Sequence, residues 1–587
     1  MRLSFSARLY QMRHLILSFV VLSILLLAFC TTATLISTGP LNPASPSPSD
    51  DWCRTGQSCF PNVNIFDAFN RSVNGRLFAE RPLAAVCYRE SCRKYGLSAL
   101  SGPFRADHFS SYQYAGWESC SDTPCVATTI TNGSCDQGNV PNYSVHAQDA
   151  EDVRRYVQFA TAHKLRIVVK NTGHDLSGRS IGYGGVAVWT HKLKNIQLHE
   201  RFVPKGCSEV YEGAMTLGSG VQWVEAYTFA HNHSRYIVGG LATSVGSAGG
   251  YVMGGGHSLL TPSFGLGADN LISMDIVTAD GVLRAISQCH HSDLFWAVRG
   301  GGGGTWGVVT SATYRTRAAS SIHVASFTVS LDFTSWAFKE ILASFVKIQP
   351  RLSELGVGGA TTLTPGSLQA LLLLPSSQGN LTQLRESLRP LTQLMTQYGI
   401  LTPDMNLTAD GQPIYREYSD WYNFYVPNFG TSSDAIMGGT GGTASRILPA
   451  HYFIDGPTNL TDVIYSALDE KMRANDYYPV IIGHAGPGQV KEIQTSVNPI
   501  WYKSLWHVVS SESFVKRLRD YTPDGAVYFG ESSLTEPNHT KAYWGENYER
   551  LLQVKRRWDP ENHFQVWHGV GAAQDSSDRW KCYSRQM

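Results

Sequence analysis

Charge is what this chain has least of. Of its 587 residues only 16% are Asp, Glu, Lys or Arg, where about 25% is usual. The balance leaves a formal net charge of +1, so no whole-chain electrostatic footprint points to nucleic acid. Metal-ribbon spacing is missing too: none of the 11 cysteines forms a C-x₂-C pair, which removes the usual structural zinc pattern. His290-His291 and His231-x-His233 have no carboxylate or cysteine at ligand spacing, so they read as loop histidines and no metal is expected.

What the chain holds instead is glycine, 55 of them, which suits loops and ligand contact more than charged helices. The length favours two domains over one core. At the N-terminus Arg2, Arg8, Arg13 and His14 precede the apolar run Leu15 to Phe29, with small residues at Thr31 and Ala33. That is a signal-peptide pattern, residues 1–33, cleaved after Ala33. The run could extend to Ile36 and act as an uncleaved anchor, the one route to membrane contact. Removing Cys30 with the signal leaves ten cysteines, an even number as disulfides require. Seven of them (Cys53, Cys59, Cys87, Cys92, Cys120, Cys125 and Cys135) crowd residues 34–136. Eight N-x-S/T sequons stand at Asn70, Asn132, Asn142, Asn232, Asn380, Asn406, Asn459 and Asn538. Together these place the protein in the oxidising secretory pathway, extracellular or in an endomembrane lumen.

Pro40 to Asp51 reads as a flexible lead-in. From Asn142 the pattern becomes regular. Asp149 caps a predicted helix in which Ala150, Val153, Val157 and Ala160 recur at helical spacing. A strand ending in Lys170 follows, then another within Gly184 to Thr190. Further on, a helix is expected near Gln222 to Asn232, a strand at Ser273 to Thr278 with a hairpin turn at Asp280-Gly281, and a strand from Gly307 to Tyr314. Beyond Thr316 glycine clusters thin out and aromatic alternation grows; strands are expected at Ala325 to Leu331 and Tyr478 to Gly483. Trp421 to Tyr425 and Ser496 to Leu505 are aromatic-rich, reading as core packing ahead of a substrate wall.

The organising stretch is Arg166-Ile-Val-Val-Lys-Asn-Thr-Gly-His-Asp-Leu-Ser-Gly-Arg-Ser180, a β-branched run that ends in a turn-rich loop with one histidine. Asn171, Thr172 and Gly173 can point unpaired N–H groups at an anion such as a pyrophosphate. The blander reading is a polar turn whose histidine meets a carbonyl. Glycine blocks then follow at Val245 to Ser258, Gly265 to Asn270 and Val277 to Gly281, dense enough for main chain to touch a large flat ligand. Two decoys lie nearby. Gly302 to Gly307 fits G-x-G-x-x-G, but a helical pattern precedes it and a β-rich one follows, the reverse of a dinucleotide fingerprint. Gly178 to Gly182 fits G-x-S-x-G, yet loop and strand follow where a nucleophile elbow needs a helix, so Ser180 is no hydrolase nucleophile.

These blocks, with Tyr543-Trp-Gly-Glu-Asn-Tyr548 and Val554-Lys-Arg-Arg-Trp-Asp-Pro560, resemble the covalent-flavin oxidases of the berberine bridge enzyme type in the vanillyl-alcohol oxidase superfamily, and among them the fungal isoamyl-alcohol-oxidase-like branch. The resemblance implies an α+β fold: a PCMH-type FAD-binding domain of two α/β subdomains (137–318), a substrate domain with an antiparallel sheet (319–524), and a C-terminal segment returning to the FAD domain (525–587). It implies FAD joined at its 8α-methyl to His174. The expected cofactor contacts are Asn171, Thr172, Gly173, His174, Asp175, Gly178, Val245, Gly246, Gly249, Gly250, Gly254, Gly255, Gly256, Asp269, Asn270 and Val277. Ala242 replaces the cysteine of doubly linked members, so only one covalent link is expected. Val245 stands where the family's oxidases keep a small residue that lets O2 reach the ring. Ala526 to Glu531 resembles the family strand that brings a tyrosine to the flavin, which makes Tyr528 the expected base, with Glu531 second. The expected reaction is oxidation of an alcohol, amine or related C–H of a small secondary metabolite, with O2 reduced to H2O2. The alternative is a flavin-containing cyclase or non-redox scaffold of the same fold.

Overall fold

Asp149 starts the first long helix as its position predicts: its carboxylate accepts the Asp152 N–H at 2.9 Å, and Ala150–Ala162 then buries Val153, Tyr156, Val157 and Ala160 on one face. In this computed structural model the described residues are 52–83, 85, 101–120, 136–409, 411–430, 443–488, 490, 494–573 and 580–584. The signal segment, Asn132 and Cys87, Cys92, Cys125 and Cys135 lie outside them.

That helix connects two parallel strands. β2 (Tyr143–His146) and β3 (Ile167–Lys170) both pair in parallel with β4 (Val186–Trp189), and β1 (Leu77–Ala79) closes the edge antiparallel to β2. The order is β1-β2-β4-β3. The Tyr156 hydroxyl, buried beneath the sheet, donates to the Val186 carbonyl at 2.7 Å.

A second, antiparallel sheet runs β5 (Ile196–Phe202), β6 (Tyr211–Gly218), β10 (Val308–Ala318), β8 (Leu271–Val277) and β9 (Leu283–Ser287), with β7 (Arg235–Ile237) on the far end of β10. The turn between β8 and β9 falls at Asp280-Gly281, where Gly281 adopts φ +71°. The helix Trp223–Asn232 packs above this sheet and buries Trp223, Ala226, Tyr227 and Ala230.

The third sheet has seven antiparallel strands in the order β14 (Tyr415–Tyr418), β11 (Ile322–Ser330), β13 (Ser367–Pro375), β12 (Gly358–Thr364), β16 (Val480–His484), β17 (Ser504–Ser511) and β15 (Thr443–Pro449). Helices Trp336–Leu355, Leu381–Gln397 and Pro457–Arg473 bury Phe338, Phe345, Leu384, Leu388, Ile464 and Leu468 in the core behind it. Trp421, Phe424 and Tyr425 are core as well: they lie on the helix Trp421–Phe429, and the Tyr425 ring meets Tyr227 at 4.7 Å between centroids. The molecule is α+β, as expected.

One expected element is different. Ala526 to Glu531 is not a strand; it makes a single bridge, Ala526 to Ile447. The Val527 N–H goes to the Ala542 carbonyl, the Tyr528 N–H to Ser445 Oγ, and the Glu531 N–H back to the Tyr528 carbonyl at 3.1 Å, so a turn replaces the ladder. The chain end returns to the first half of the molecule. On the helix Tyr548–Trp558, buried Lys555 donates to the carbonyls of Thr305 and Phe564 at 2.9 and 2.6 Å. Disulfides join Cys53 to Cys59, Cys120 to Cys582 and Cys207 to Cys289. Among the described residues no helix is long and apolar enough to cross a membrane.

Candidate functional site

β3 ends at Lys170, and the loop after it is fixed residue by residue. The Asn171 amide donates to the Ser219 carbonyl, while its Oδ1 is buried without a partner. Gly173 takes φ +80°, and His174 then turns its Nε2 to Ser244 Oγ at 2.7 Å. Burial, with the nearby Lys170 charge adding to it, pushes the His174 imidazole down to about 3, so the ring is neutral. Asp175 accepts the Arg179 N–H at 2.9 Å and pairs with its guanidinium at 3.1 Å. Gly178 lies under Trp117, and its carbonyl accepts from the Tyr583 hydroxyl at 2.7 Å.

The second glycine block runs against this loop. Val245 gives its carbonyl to the Trp223 N–H at 3.0 Å. A Cβ on Gly246 would sit 2.0 Å from the Asn171 amide nitrogen, so a side chain there would displace that amide from the Ser219 carbonyl. Gly249, at φ +108°, and Gly250 face open space: a Cβ on either meets nothing within 4 Å. Gly254 and Gly255 then pass the Tyr528 ring, and the carbonyls of Gly255 and Gly256 accept the N–H groups of Ala268 and Gly267 at 2.9 and 2.7 Å.

Of three further expected residues, Asp269 and Asn270 follow the Gly267 and Ala268 N–H groups that the strip accepts, and Val277 lies apart from it. Asp269 accepts from the Tyr502 hydroxyl at 2.5 Å and the Leu266 N–H at 2.8 Å. Burial raises its carboxyl to about 6. Asn270 donates to the Phe264 and Leu266 carbonyls and accepts from Arg317 at 3.0 Å. Val277 ends β8, paired with Val308 in the core.

Beyond Gly254 and Gly255 a polar cluster opens. Glu531 faces His257 Nε2 at 3.4 Å and His507 Nδ1 at 3.7 Å. Tyr528 and Trp501 pack edge-on to each other, with 5.7 Å between ring centroids. His257 and His507 were not among the expected site residues. His257 directly follows the glycine triplet 254–256, a position that could have flagged it; His507 lies alone in the β-branched run of β17 and gives no signal in sequence.

Residues 141–287 match the FAD binding domain family, and residues 527–571 match the berberine and berberine-like family. The FAD-linked oxidoreductase ZEB1 of Gibberella zeae is 32% identical over 92% of this chain and 95% of its own. The VAO-type flavoprotein oxidase VAO615 of Thermothelomyces thermophilus is 29% identical over 89% of this chain and 93% of its own. The crystal structure of the VAO-type flavoprotein MtVAO615 from Myceliophthora thermophila superposes with a TM-score of 0.78 at 26% identity, over 89% of this chain and 98% of that one. The chain belongs to the FAD-linked oxidoreductases of the vanillyl-alcohol oxidase and berberine bridge type.

An FAD-linked oxidoreductase needs a cradle for a dinucleotide, and the residues here fit one. The strip at Gly249 and Gly250 leaves side-chain space open, and the orphaned Asn171 Oδ1 lies beside it at Gly246. Ser180 Oγ, in the same loop, is also buried without a partner. The elbow reading of Ser180 has no support in the fold, since the element after it is β4.

Proposed function

We propose that this chain is a secretory-pathway oxidase that removes hydride from an alcohol, amine or related C–H of a small secondary metabolite and passes the electrons to O2, releasing H2O2, with FAD joined through its 8α carbon to His174. The observation that carries the reading is a neutral imidazole in the loop after β3, fixed by Ser244, where that loop meets the glycine strip at Asn171 and Gly246 and the strip opens at Gly249 and Gly250. FAD bound there supplies the two-electron acceptor. The main chain from Asn171 to Asp175 and from Gly246 to Gly256 holds its pyrophosphate and ribityl, with Gly178 closing the loop. Asp269 and Asn270 support the strip from behind. Val245 leaves the approach of O2 open. The name of the flavoprotein oxidase among the relatives supports oxidase over dehydrogenase.

Secretion is supported by the three disulfides among the described residues and by the sequons: the seven asparagines other than Asn132 are all exposed or half-buried, open to glycan attachment. The test is to purify the glycosylated protein and assay peroxide release over a panel of primary alcohols, secondary alcohols and amines. A yellow protein that releases peroxide with at least one of them is expected; a colourless one ends the proposal. His174→Ala is expected to bind flavin that stays in the supernatant on acid precipitation, whereas the parent's flavin goes down with the protein.

A further inference from the structure

We propose that His257 is the group that takes the substrate's O–H or N–H proton, with Glu531 as the residue that orients it. The proposal rests on the oxidase reading above. His257 turns Nε2 to Glu531 Oε1 at 3.4 Å, and its other ring nitrogen has no protein partner among the described residues. A carboxylate on one imidazole nitrogen and an open lone pair on the other is the pairing that fixes a tautomer and steadies the imidazolium that forms. The His257 side chain is 26% exposed and that of Glu531 31%, so substrate can reach them; the His507 side chain, at 1%, is sealed in.

The neighbours sort the roles. Burial alone would raise Glu531, but the charge and hydrogen bond of His257, with His507 beyond, hold it down at about 2, so it is an anion. Burial drives His507 down to about 3 and leaves it neutral, with Nδ1 3.7 Å from the second carboxylate oxygen. Burial and the Glu531 charge push the Tyr528 phenol well above its ordinary value, which removes it as a base at neutral pH; its ring stacks edge-on against His257 with 5.1 Å between centroids. From the glycine strip the Tyr251 hydroxyl donates to the His257 carbonyl at 3.0 Å and leaves the ring free. For an alcohol, the O–H proton would move to Nδ1 of His257 as the carbinol becomes a carbonyl. FAD held at the glycine strip would supply the two-electron acceptor, and O2 would take up the two electrons and two protons as H2O2, which balances the reaction.

The same three side chains place ligand atoms within 4.8 Å of one another, as two-His, one-carboxylate metal sites do. Here the two imidazoles face different oxygens of Glu531, at 3.4 and 3.7 Å, and the metal content of the protein separates the two readings.

The test uses flavin-loaded protein, the alcohols of the panel including benzyl alcohol, and the variants His257→Gln, Glu531→Gln and Tyr528→Phe. His257→Gln is expected to lose about 10²–10⁴ in kcat at unchanged flavin content. Glu531→Gln should lose less and shift the acid limb of kcat to lower pH, and Tyr528→Phe should lose less than His257→Gln. A readout without turnover is carbethoxylation of His257 by diethyl pyrocarbonate, followed by peptide mass mapping against pH: Glu531→Gln must move its midpoint down. An unmoved midpoint, a Tyr528→Phe loss as large as that of His257→Gln, or about one tightly bound divalent metal per chain that His257→Gln abolishes would overturn the assignment. Flavin-loaded protein that oxidises nothing in the panel sinks the oxidase reading instead.

Discussion

Arg179 is the residue at which the His174 loop and the returning chain end are fastened together. Its guanidinium reaches Asp175, the carbonyls of Phe529 and Trp567 at 2.9 Å each, and Ser532 Oγ at 3.4 Å, and it covers the Phe529 ring at 3.8 Å. Arg179→Met leaves Asp175 Oδ2 and two carbonyls without their guanidinium donor, while the backbone N–H still reaches Asp175 Oδ1, a loss of about 3–5 kcal/mol. Arg179→Lys keeps the charge but not the fork, and should fall between the two. Thermal unfolding of the three proteins at one pH checks the order; equal midpoints would mean that the return segment docks without it. At this scale sequence reading reached what is local. His174 ends a β-branched run, and the glycine of the block at 246 marks a close backbone approach, which proves to be Asn171. It named Glu531 as the second candidate base but did not reach the two histidines beside it, His257 and His507, or the contacts of Arg179 with Phe529 and Trp567, because those partners lie far away in the chain and no spacing rule connects them.

Elements whose cause is periodic were legible. The helix Ala150–Ala162, β3, β4 and the β8–β9 hairpin stand where apolar spacing, a cap and an Asp-Gly turn put them. Ala526 to Glu531 has the composition of a strand, yet its N–H groups are taken by a helix carbonyl, a serine side chain and its own turn, a tertiary effect invisible to local pattern. The chain end is also held covalently. Cys582, in the helix Lys581–Ser584, is bonded to Cys120 across 462 residues, beside Trp117, Trp567 and Tyr583. Replacing both cysteines by serine should cost about 2–5 kcal/mol through the freed unfolded chain. Denaturant unfolding of the double variant reads the loss, which should match that of the parent after selective reduction of this bond.

For the whole molecule, acid is the condition that its buried histidines oppose. Burial holds His484, His507 and His568 near 3 and His191 and His539 near 4, against an ordinary 6.5. Each stays neutral in the folded chain and takes a proton on unfolding, so its stabilisation is complete above pH 6.5 and is lost as pH falls below it. Three buried acids act the other way: Glu118 and Glu536 are raised to about 7 and Asp269 to about 6, so the fold gains from them as pH falls through that range. The histidines outnumber them, and stability should decline from pH 6.5 to 4.5. His484 isolates the effect, because its ring is buried against Phe345 and Trp506 with both nitrogens engaged, to Thr361 Oγ1 at 2.9 Å and Gln349 Oε1 at 2.8 Å. In His484→Gln the decline should be shallower by about 1.4 kcal/mol per pH unit, the weight of one proton. Denaturant midpoints of parent and variant at pH 6.5, 5.5 and 4.5 decide it: converging curves are expected, and parallel ones would mean that His484 takes up its proton without unfolding.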